Sequence, residues 1–310
     1  MELKKSLFIL IFFIILLIIV YKLIKLFVEY KKLKSALKYS AQNNLFCTKF
    51  TPPCDITINN NLLVPTNITP QYDPYISRFC IDLISRIIAI YLPPKLQTLQ
   101  VHPQLKLLKV LIYSPGKYPI MGYVSQDANN NMWIVYRGSL DKADIKQDFI
   151  YKQTDLIVPF THNENIRCHQ GFMNVYRTFR EQIINEVKKV NPNKIIITGH
   201  SLGSGLATIT SYELGRMGYN VYTYTLASPR AGNIDFSNEV TAITKCFYRI
   251  VNLSDLVPTL PIAVMPNMTN TSKPFIYKHA GKVIEFDQNW KSIENNHMIY
   301  NYRHYIELQL

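Results

Sequence analysis

The amino-acid sequence predicts an α/β protein in which a mostly parallel sheet is covered by helices on both faces. From residue 172 onwards, short apolar strands alternate with helical segments, as in parallel strands joined by crossover helices. The 310-residue chain is 48% apolar and 18% charged, which excludes an intrinsically disordered protein. It has no repeat with a period of 20–50 residues, which excludes solenoids.

The helices and strands follow from the spacing of apolar residues and from the residues that end each run. A helix over 74–92 has apolar residues on one side, and 93–103 reads as a loop. The elements predicted after it are, in order, a hairpin over 120–126 and 132–137, a helix over 172–190, a strand over 194–198, a helix over 202–217, a strand over 220–227, a helix over 234–244, a strand over 246–252 and a helix over 298–308. Because nothing indicates a second core, residues 74–310 are predicted to form one domain.

The N-terminal residues 1–28 are predicted to be an uncleaved membrane anchor. Residues 7–21 contain no charged side chain, and with Lys22 and Lys25 reaching the interface the apolar stretch extends to residue 28. That length is enough to cross about 30 Å of hydrocarbon. A cleaved signal peptide is the alternative, but the small residues it needs after the apolar core are missing. A buried core helix is the third option, although no polar face interrupts the run.

The positive charge is concentrated near this anchor. Residues 1–42 contain eight lysines and two glutamates, whereas the formal net charge of the chain is +13. Residues 29–73 therefore read as a basic helix followed by a linker or extended arm, and the lysines after the anchor favour a cytosolic main domain. The rest of the chain has no lysine- or arginine-rich block with interleaved aromatics, so nucleic acid is not a predicted partner. A membrane surface is a predicted partner, because the lysines that follow the anchor would lie against anionic headgroups.

The five cysteines do not form a recognisable framework. No two of them are spaced as a CxxC pair, and they are too scattered for a disulfide scaffold or a structural zinc site. We expect neither a metal nor a cofactor.

The sharpest motif is Gly199-His-Ser201-Leu-Gly203, a G-x-S-x-G sequence. It follows an apolar, β-branched strand and precedes a helix of small residues, which is the context this motif needs. Glycines on either side of Ser201 allow the chain to turn sharply and to expose its hydroxyl above the sheet. The sequence therefore predicts Ser201 as a nucleophile.

A serine nucleophile needs a histidine to take its proton and a carboxylate to orient that histidine. In this topology the order along the chain is Ser, Asp, His. Asp235 and Asp255 are the candidate acids. Asp255 follows the strand over 246–252 and is preferred, because Asp235 opens a helix and is expected to cap it.

Three histidines follow the candidate acid. His297 lies in a polar turn just before the C-terminal helix and is the preferred base. His304 lies inside that helix and would have to point back from it. His279 is expected within a short strand, where packing or a backbone hydrogen bond would be its role.

Five motifs in order resemble the class 3 (fungal-lipase-like) lipases of the α/β-hydrolase superfamily. They are residues 122–124 leading to 133–139, residues 168–172 with Tyr176, residues 199–203, residues 228–233, and residues 249–261 followed by 277–281. The resemblance covers roughly residues 115–305, and it implies the α/β-hydrolase fold for the domain predicted over 74–310. It also implies an oxyanion hole made by the hydroxyl and amide of Ser139 and the amide of Leu202. The family's catalytic histidine precedes a tyrosine, which fits His297 with Tyr300 or Tyr302.

The same resemblance assigns residues 140–151 to a lid, although this chain lacks the tryptophan that some relatives carry there. The apolar side chains of that segment could equally belong to the core. The function expected is that of a membrane-anchored serine carboxylester hydrolase acting on acylglycerol or phospholipid esters. The alternatives are a catalytically silent scaffold with the same fold and an acyltransferase that uses the same triad.

Overall fold

The structure, a computed structural model, describes residues 58–91, 98–156, 165–267 and 273–310. The predicted anchor over 1–28 and the first part of the predicted linker, 29–57, lie outside these ranges. Within the described ranges, no helix is both long enough and apolar enough to cross a bilayer.

Eight α-helices and eleven strands are found in the described part of the chain. The helices are α1 (Pro74–Ile88), α2 (Lys142–Asp148), α3 (Gln170–Arg177), α4 (Arg180–Val190), α5 (Leu202–Arg216), α6 (Ile234–Ile243), α7 (Ile293–His297) and α8 (Ile299–Glu307). The strands are β1 (Lys106–Ile112), β2 (Ile120–Gln126), β3 (Asn131–Tyr136), β4 (Gln153–Asp155), β5 (Arg167–His169), β6 (Lys194–His200), β7 (Val221–Leu226), β8 (Cys246–Asn252), β9 (Val264–Met265), β10 (Phe275–Ile276) and β11 (Lys282–Phe286). A 3₁₀ turn covers Val257–Thr259.

The main sheet has seven strands in the order β1-β2-β3-β6-β7-β8-β11. Strands β3, β6, β7, β8 and β11 are parallel, and β1 and β2 add an antiparallel hairpin at one edge. The prediction of a mostly parallel sheet is confirmed. The carboxyl ends of β3, β6 and β8 therefore open onto the same edge, which is where parallel α/β sheets place their sites.

Each face of the sheet has its own apolar core. Helices α3 to α6 pack on one face, around Phe172, Leu206 and Phe236. Helices α1 and α8 pack on the other face and contact each other there, around Phe79 and Tyr302. Helices on both faces explain why the central strands are buried on both sides and read as unbroken apolar runs.

Three predicted details differ from the structure. The two outermost strands, β1 and β11, were not predicted, because an exposed charged residue interrupts the apolar residues of each one, Lys109 in β1 and Glu285 in β11. The helix predicted over 172–190 is two helices, α3 and α4, separated at Phe179, whose φ of −130° and ψ of 5° are not helical. His279 lies just after an isolated bridge at Lys278 rather than within a strand.

Residues 58–73, predicted as part of a linker, pack against the domain. Ile68 is 1% exposed, and its carbonyl accepts a hydrogen bond from Lys194 Nζ at 2.6 Å. The carbonyl of Pro70 accepts from the hydroxyl of Tyr248 at 2.9 Å. The described domain therefore extends N-terminally beyond Pro74, where α1 begins.

Candidate active site

Ser201 occupies the sharp turn between β6 and α5. Its φ of 57° and ψ of −124° are strained for a residue with a side chain, and its amide donates to Leu226 O at 3.0 Å. The turn needs the two glycines of the motif. A Cβ at Gly199 would overlap the backbone of Gly203, and a Cβ at Gly203 would overlap the backbone of Arg137. The predicted strand–turn–helix context of Ser201 is confirmed.

Asp255 lies in the turn that follows β8 and is 2% exposed. One carboxylate oxygen, Oδ1, accepts the amide of Val257 at 2.9 Å. The other, Oδ2, lies 2.8 Å from His297 Nδ1 and accepts the hydroxyl of Tyr302 at 2.7 Å. The carboxylate is thus fixed by three donors and directed at the histidine ring.

His297 connects this acid to Ser201. Its Nε2 lies 2.8 Å from Ser201 Oγ. Because a carboxylate can only accept, the ring proton of neutral His297 is on Nδ1, and Nε2 accepts from the serine hydroxyl. The structure therefore brings Ser201, Asp255 and His297 together in the order that a serine hydrolase requires.

The competing candidates lie elsewhere. His304 is exposed on α8. His279 Nε2 contacts Pro258 O at 2.7 Å, and burial together with the charges of Arg249 and Arg230 lowers the pKa of His279 to about 3. Asp235 lies in the first turn of α6, but the capping side chain is Asn233, which accepts from Phe236 N at 3.0 Å. The expected capping role of Asp235 is therefore wrong.

Ser139 and Leu202 flank the serine. Residue 138 lies directly beside the turn, since a Cβ on Gly138 would lie 3.1 Å from Ser201 Cβ. This proximity follows from the parallel pairing of β3 with β6. Leu202 is the first residue of α5, so its amide precedes the first intrahelical hydrogen bond. Ser139 and Leu202 therefore follow directly on two residues that lie beside each other, Gly138 and Ser201, and their role as an oxyanion hole stays a prediction.

Asp148 is a site residue that the sequence did not indicate. Its Oδ2 accepts the hydroxyl of Ser139 at 2.7 Å. Burial raises the pKa of the Asp148 carboxyl to about 8; the hydrogen bond from Ser139 lowers it and Asp144 raises it further. No sequence signal marked Asp148, because an aspartate at the end of an amphipathic segment is normally a solvated residue.

The segment assigned to a lid, residues 140–151, is bound to the rest of the domain through buried side chains. Asp144 of α2 and Arg137, both fully buried, form an ion pair of 2.6 Å, and Asp144 also accepts the amide of Leu140 at 3.0 Å. Asp141 caps α2. Leu140 and Ile145 are each 7% exposed and are core residues, whereas Phe149 and Ile150 are half-buried, so the interpretation of the segment's apolar side chains as core holds for the first two only.

We expect the variant Asp148→Asn to be stabilised relative to the wild type, by more at pH 8 than at pH 5. An unfolded aspartate ionises near pH 4, whereas the folded Asp148 holds its proton up to about pH 8. Between these values the folded state binds a proton that the unfolded state lacks, so wild-type stability falls as the pH rises. Asparagine keeps an acceptor for Ser139 without this penalty. Melting temperatures at both pH values test this, and an equal difference at the two pH values contradicts it.

The tyrosine that supports the acid is Tyr302 of α8. We expect Tyr302→Phe to lower kcat/KM for an ester about tenfold, because one of three donors to Asp255 is lost. Tyr305→Phe is the matched control, since its hydroxyl contacts Glu285 O instead. A Tyr302→Phe variant as active as this control contradicts the prediction.

Comparisons with known proteins find similarity to lipases. The family model for class 3 lipases matches residues 133–265. A secreted mono- and diacylglycerol lipase of Fusarium solani is 33% identical over 152 residues, 47% of this chain and 44% of that protein. A chloroplastic phospholipase A1 of Arabidopsis thaliana is 27% identical over 201 residues, 50% of this chain and 36% of that protein. The match thus spans less than half of either relative.

Solved structures share the fold. A nonglycosylated lipase of Yarrowia lipolytica matches with a TM-score of 0.54 and 19% identity, over 69% of this chain and 79% of that one. A triacylglycerol lipase described as having a serine protease triad at its catalytic centre matches with a TM-score of 0.52 and 23% identity. The match covers 68% of this chain and 78% of that one. The fold is therefore that of the α/β-hydrolases. The family model match, the relatives and the motifs in order make the chain similar to the class 3 lipases.

Proposed function

We propose that this protein is a membrane-anchored serine carboxylester hydrolase that cleaves acylglycerol or phospholipid esters. The observation that carries the proposal is the unbroken line of hydrogen bonds from Asp255 through His297 to Ser201. A serine hydroxyl is a weak nucleophile until an adjacent base can accept its proton, and this arrangement supplies that base. The similarity to class 3 lipases supports the same reaction.

In the first half of the proposed reaction, Ser201 Oγ attacks the ester carbonyl while His297 Nε2 takes the serine proton. Asp255 holds the ring orientation and stabilises the imidazolium. His297 then gives the proton to the leaving alcohol oxygen as the C–O bond of the tetrahedral intermediate breaks. The products of this half are the free alcohol and an ester between Ser201 and the acyl group.

In the second half, water replaces the alcohol. His297 takes a proton from water, the resulting hydroxide oxygen bonds to the acyl carbon, and the Ser201–acyl bond breaks as Ser201 Oγ regains the proton. A carboxylic acid is released. No cofactor is needed for this balance.

The oxyanion of both tetrahedral intermediates is assigned to Ser139 and the Leu202 amide. Each preorganised donor in such a hole lowers the barrier by about 3 kcal/mol. The pKa of Asp148 bears on this role, because a neutral carboxyl can itself donate to Ser139 Oγ. The proton of the Ser139 hydroxyl is then free to point at the oxyanion.

The substrate class rests on the relatives, which are named mono- and diacylglycerol lipases and phospholipases A1. We propose residues 1–28 as a single-pass anchor with the main domain in the cytosol, on the basis of the charge-free run and the lysines after it. The anchor would keep the site at the surface of its substrate. Carbonate extraction of membranes tests the anchor, and protease protection of intact vesicles tests its orientation.

Fluorophosphonate labelling of the full chain in detergent, followed by incubation with diacylglycerol and phosphatidylcholine, tests the proposed reaction. Covalent labelling and release of fatty acid are expected. A folded protein that neither labels nor releases fatty acid favours the silent scaffold. If added alcohols convert most of the acyl groups to new esters rather than to free acid, the protein is an acyltransferase.

A further inference from the structure

The loop that carries His297 is held by side chains from the two strands that carry the other members of the triad. His297 ends the five-residue helix α7, and a helix of that length has little stability of its own. Its ring nevertheless makes two contacts of 2.8 Å at once, to Asp255 and to Ser201. Contacts from outside α7 must therefore fix the backbone of His297.

The peptide before His297 is held by Asn252, the last residue of β8. Asn252 is fully buried, and its Nδ2 donates to Asn296 O at 3.0 Å and to Gln288 O at 2.9 Å. Its Oδ1 accepts the amides of Ser254 and Gln288 at 3.2 and 3.0 Å. Every hydrogen-bonding position of this amide is therefore used to join the acid strand to the histidine loop.

A second asparagine, Asn296, links the same two segments in the opposite direction. Asn296, the residue before His297, donates from Nδ2 to Ser254 O at 3.0 Å, one residue before Asp255. Its Oδ1 accepts the amide of Trp290 at 2.7 Å. The backbones just before the acid and just before the base are thus linked by two asparagines that point in opposite directions.

The peptide after His297 is held by His200, the residue before Ser201. His200 Nε2 lies 2.8 Å from His297 O, and because a carbonyl can only accept, that nitrogen carries the proton. The two imidazole rings are 4.7 Å apart. Burial and the neighbouring His297 lower the pKa of His200 to about 3, so it stays neutral and adds no charge beside an imidazolium on His297.

We propose that Asn252 and His200 are positioning residues for His297, each fixing one of the two carbonyls that flank its Cα. Together they determine the backbone torsions of His297 and hence the direction of its ring. Neither touches the reacting atoms, and both are neutral, so their effect is on geometry alone. A displacement of about 1 Å in such a group is enough to slow a reaction about 100-fold. The inference rests on the proposed function for its kinetic consequence.

Three variants of the full chain test the proposal. Asn252→Ala removes the donor to Asn296 O, and His200→Phe keeps a ring of similar size without the N–H. His200→Gln restores a side-chain N–H at comparable reach. Asn131→Ala is the control. Asn131 is also a buried asparagine, 4% exposed, and its side chain donates to Asp127. It pairs with Lys194 at the start of β6 and therefore lies at the opposite end of the sheet from His297.

With p-nitrophenyl butyrate as substrate, we expect Asn252→Ala and His200→Phe each to lower kcat about tenfold and to leave KM within about twofold. His200→Gln is expected to recover most of kcat, and Asn131→Ala to match the wild type. Folded Asn252→Ala and His200→Phe variants with wild-type kcat would overturn the proposal. If Asn252→Ala fails to fold, the comparison of His200→Gln with His200→Phe still tests the proposal. If His200→Phe fails to fold, the kcat of Asn252→Ala tests it.

A second readout does not depend on catalysis. A proton held between a histidine ring nitrogen and a carboxylate gives a downfield ¹H NMR signal, which His297→Gln would identify here by its loss. We expect Asn252→Ala and His200→Phe to broaden or shift this signal, and Asn131→Ala to leave it unchanged. If the wild type hydrolyses no ester, the proposed function fails while this signal still tests positioning. An unaltered signal in both variants overturns the inference.

Discussion

Replacing Ser201 with alanine is expected to abolish both fluorophosphonate labelling and ester hydrolysis. Ser201 Oγ is the atom that His297 Nε2 can deprotonate, and it lies at the strained turn that lifts it above the sheet. Loss of the nucleophile in serine hydrolases lowers kcat about 10⁶-fold, with residual rate from the oxyanion donors. Labelling of the full chain with a tagged fluorophosphonate, read on a gel, measures the first effect, and fatty acid release measures the second.

The control for this experiment is Ser211→Ala. Ser211 is also a buried serine, but it lies inside α5, where its hydroxyl bonds to Ala207 O and Thr223. Its variant is expected to label like the wild type. Labelling that survives in a folded Ser201→Ala protein would mean that another residue is the nucleophile.

Replacing His297 with alanine is expected to have an effect of similar size. Without a base, the serine proton has no acceptor at 2.8 Å, and Asp255 faces an empty space. Serine and base act as a unit, so the His297→Ala variant and the Ser201→Ala variant should be nearly equally inactive, and the double variant no worse. The rate of fluorophosphonate labelling is the direct measurement, because that reagent also needs an activated serine.

His304→Ala and His279→Ala separate this role from general effects of removing a histidine. His304 is exposed on α8, so its loss should leave labelling unchanged. His279 contacts Pro258 O in the turn that follows Asp255, so its loss should act only through the position of that turn. Wild-type labelling in His297→Ala together with lost labelling in either other variant would reassign the base.

Local features of the chain determined a large part of this structure before any tertiary contact was known. The apolar runs of β6, β7 and β8 and the helices between them predicted a parallel sheet, since periodicity is a property of neighbouring residues. The turn at Ser201 was predictable for the same reason. Edge strands β1 and β11 were not, because their burial depends on where the sheet ends.

The candidate acid and base were predictable from chain order and from their places after β8 and before α8. The hydrogen bonds that join them cross 42 residues between Asp255 and His297 and 96 between His297 and Ser201. The resemblance to class 3 lipases narrowed the tyrosine to Tyr300 or Tyr302, and only the packing of α8 against β8 selected Tyr302 for Asp255.

The sequence by itself determined the fold class and the nucleophile turn, because both depend on residues close together in the chain. It also determined the order of the three candidate side chains, which can be read along the chain. Tertiary structure alone decided the hydrogen bond between Ser139 and Asp148. It also decided the hydrogen bonds by which Asn252 and His200 bind the two carbonyls on either side of the His297 Cα. An aspartate or an asparagine has the same local appearance in a solvated turn as in a buried network. Its role is set by which partners the fold brings within hydrogen-bonding distance and by how much water it removes.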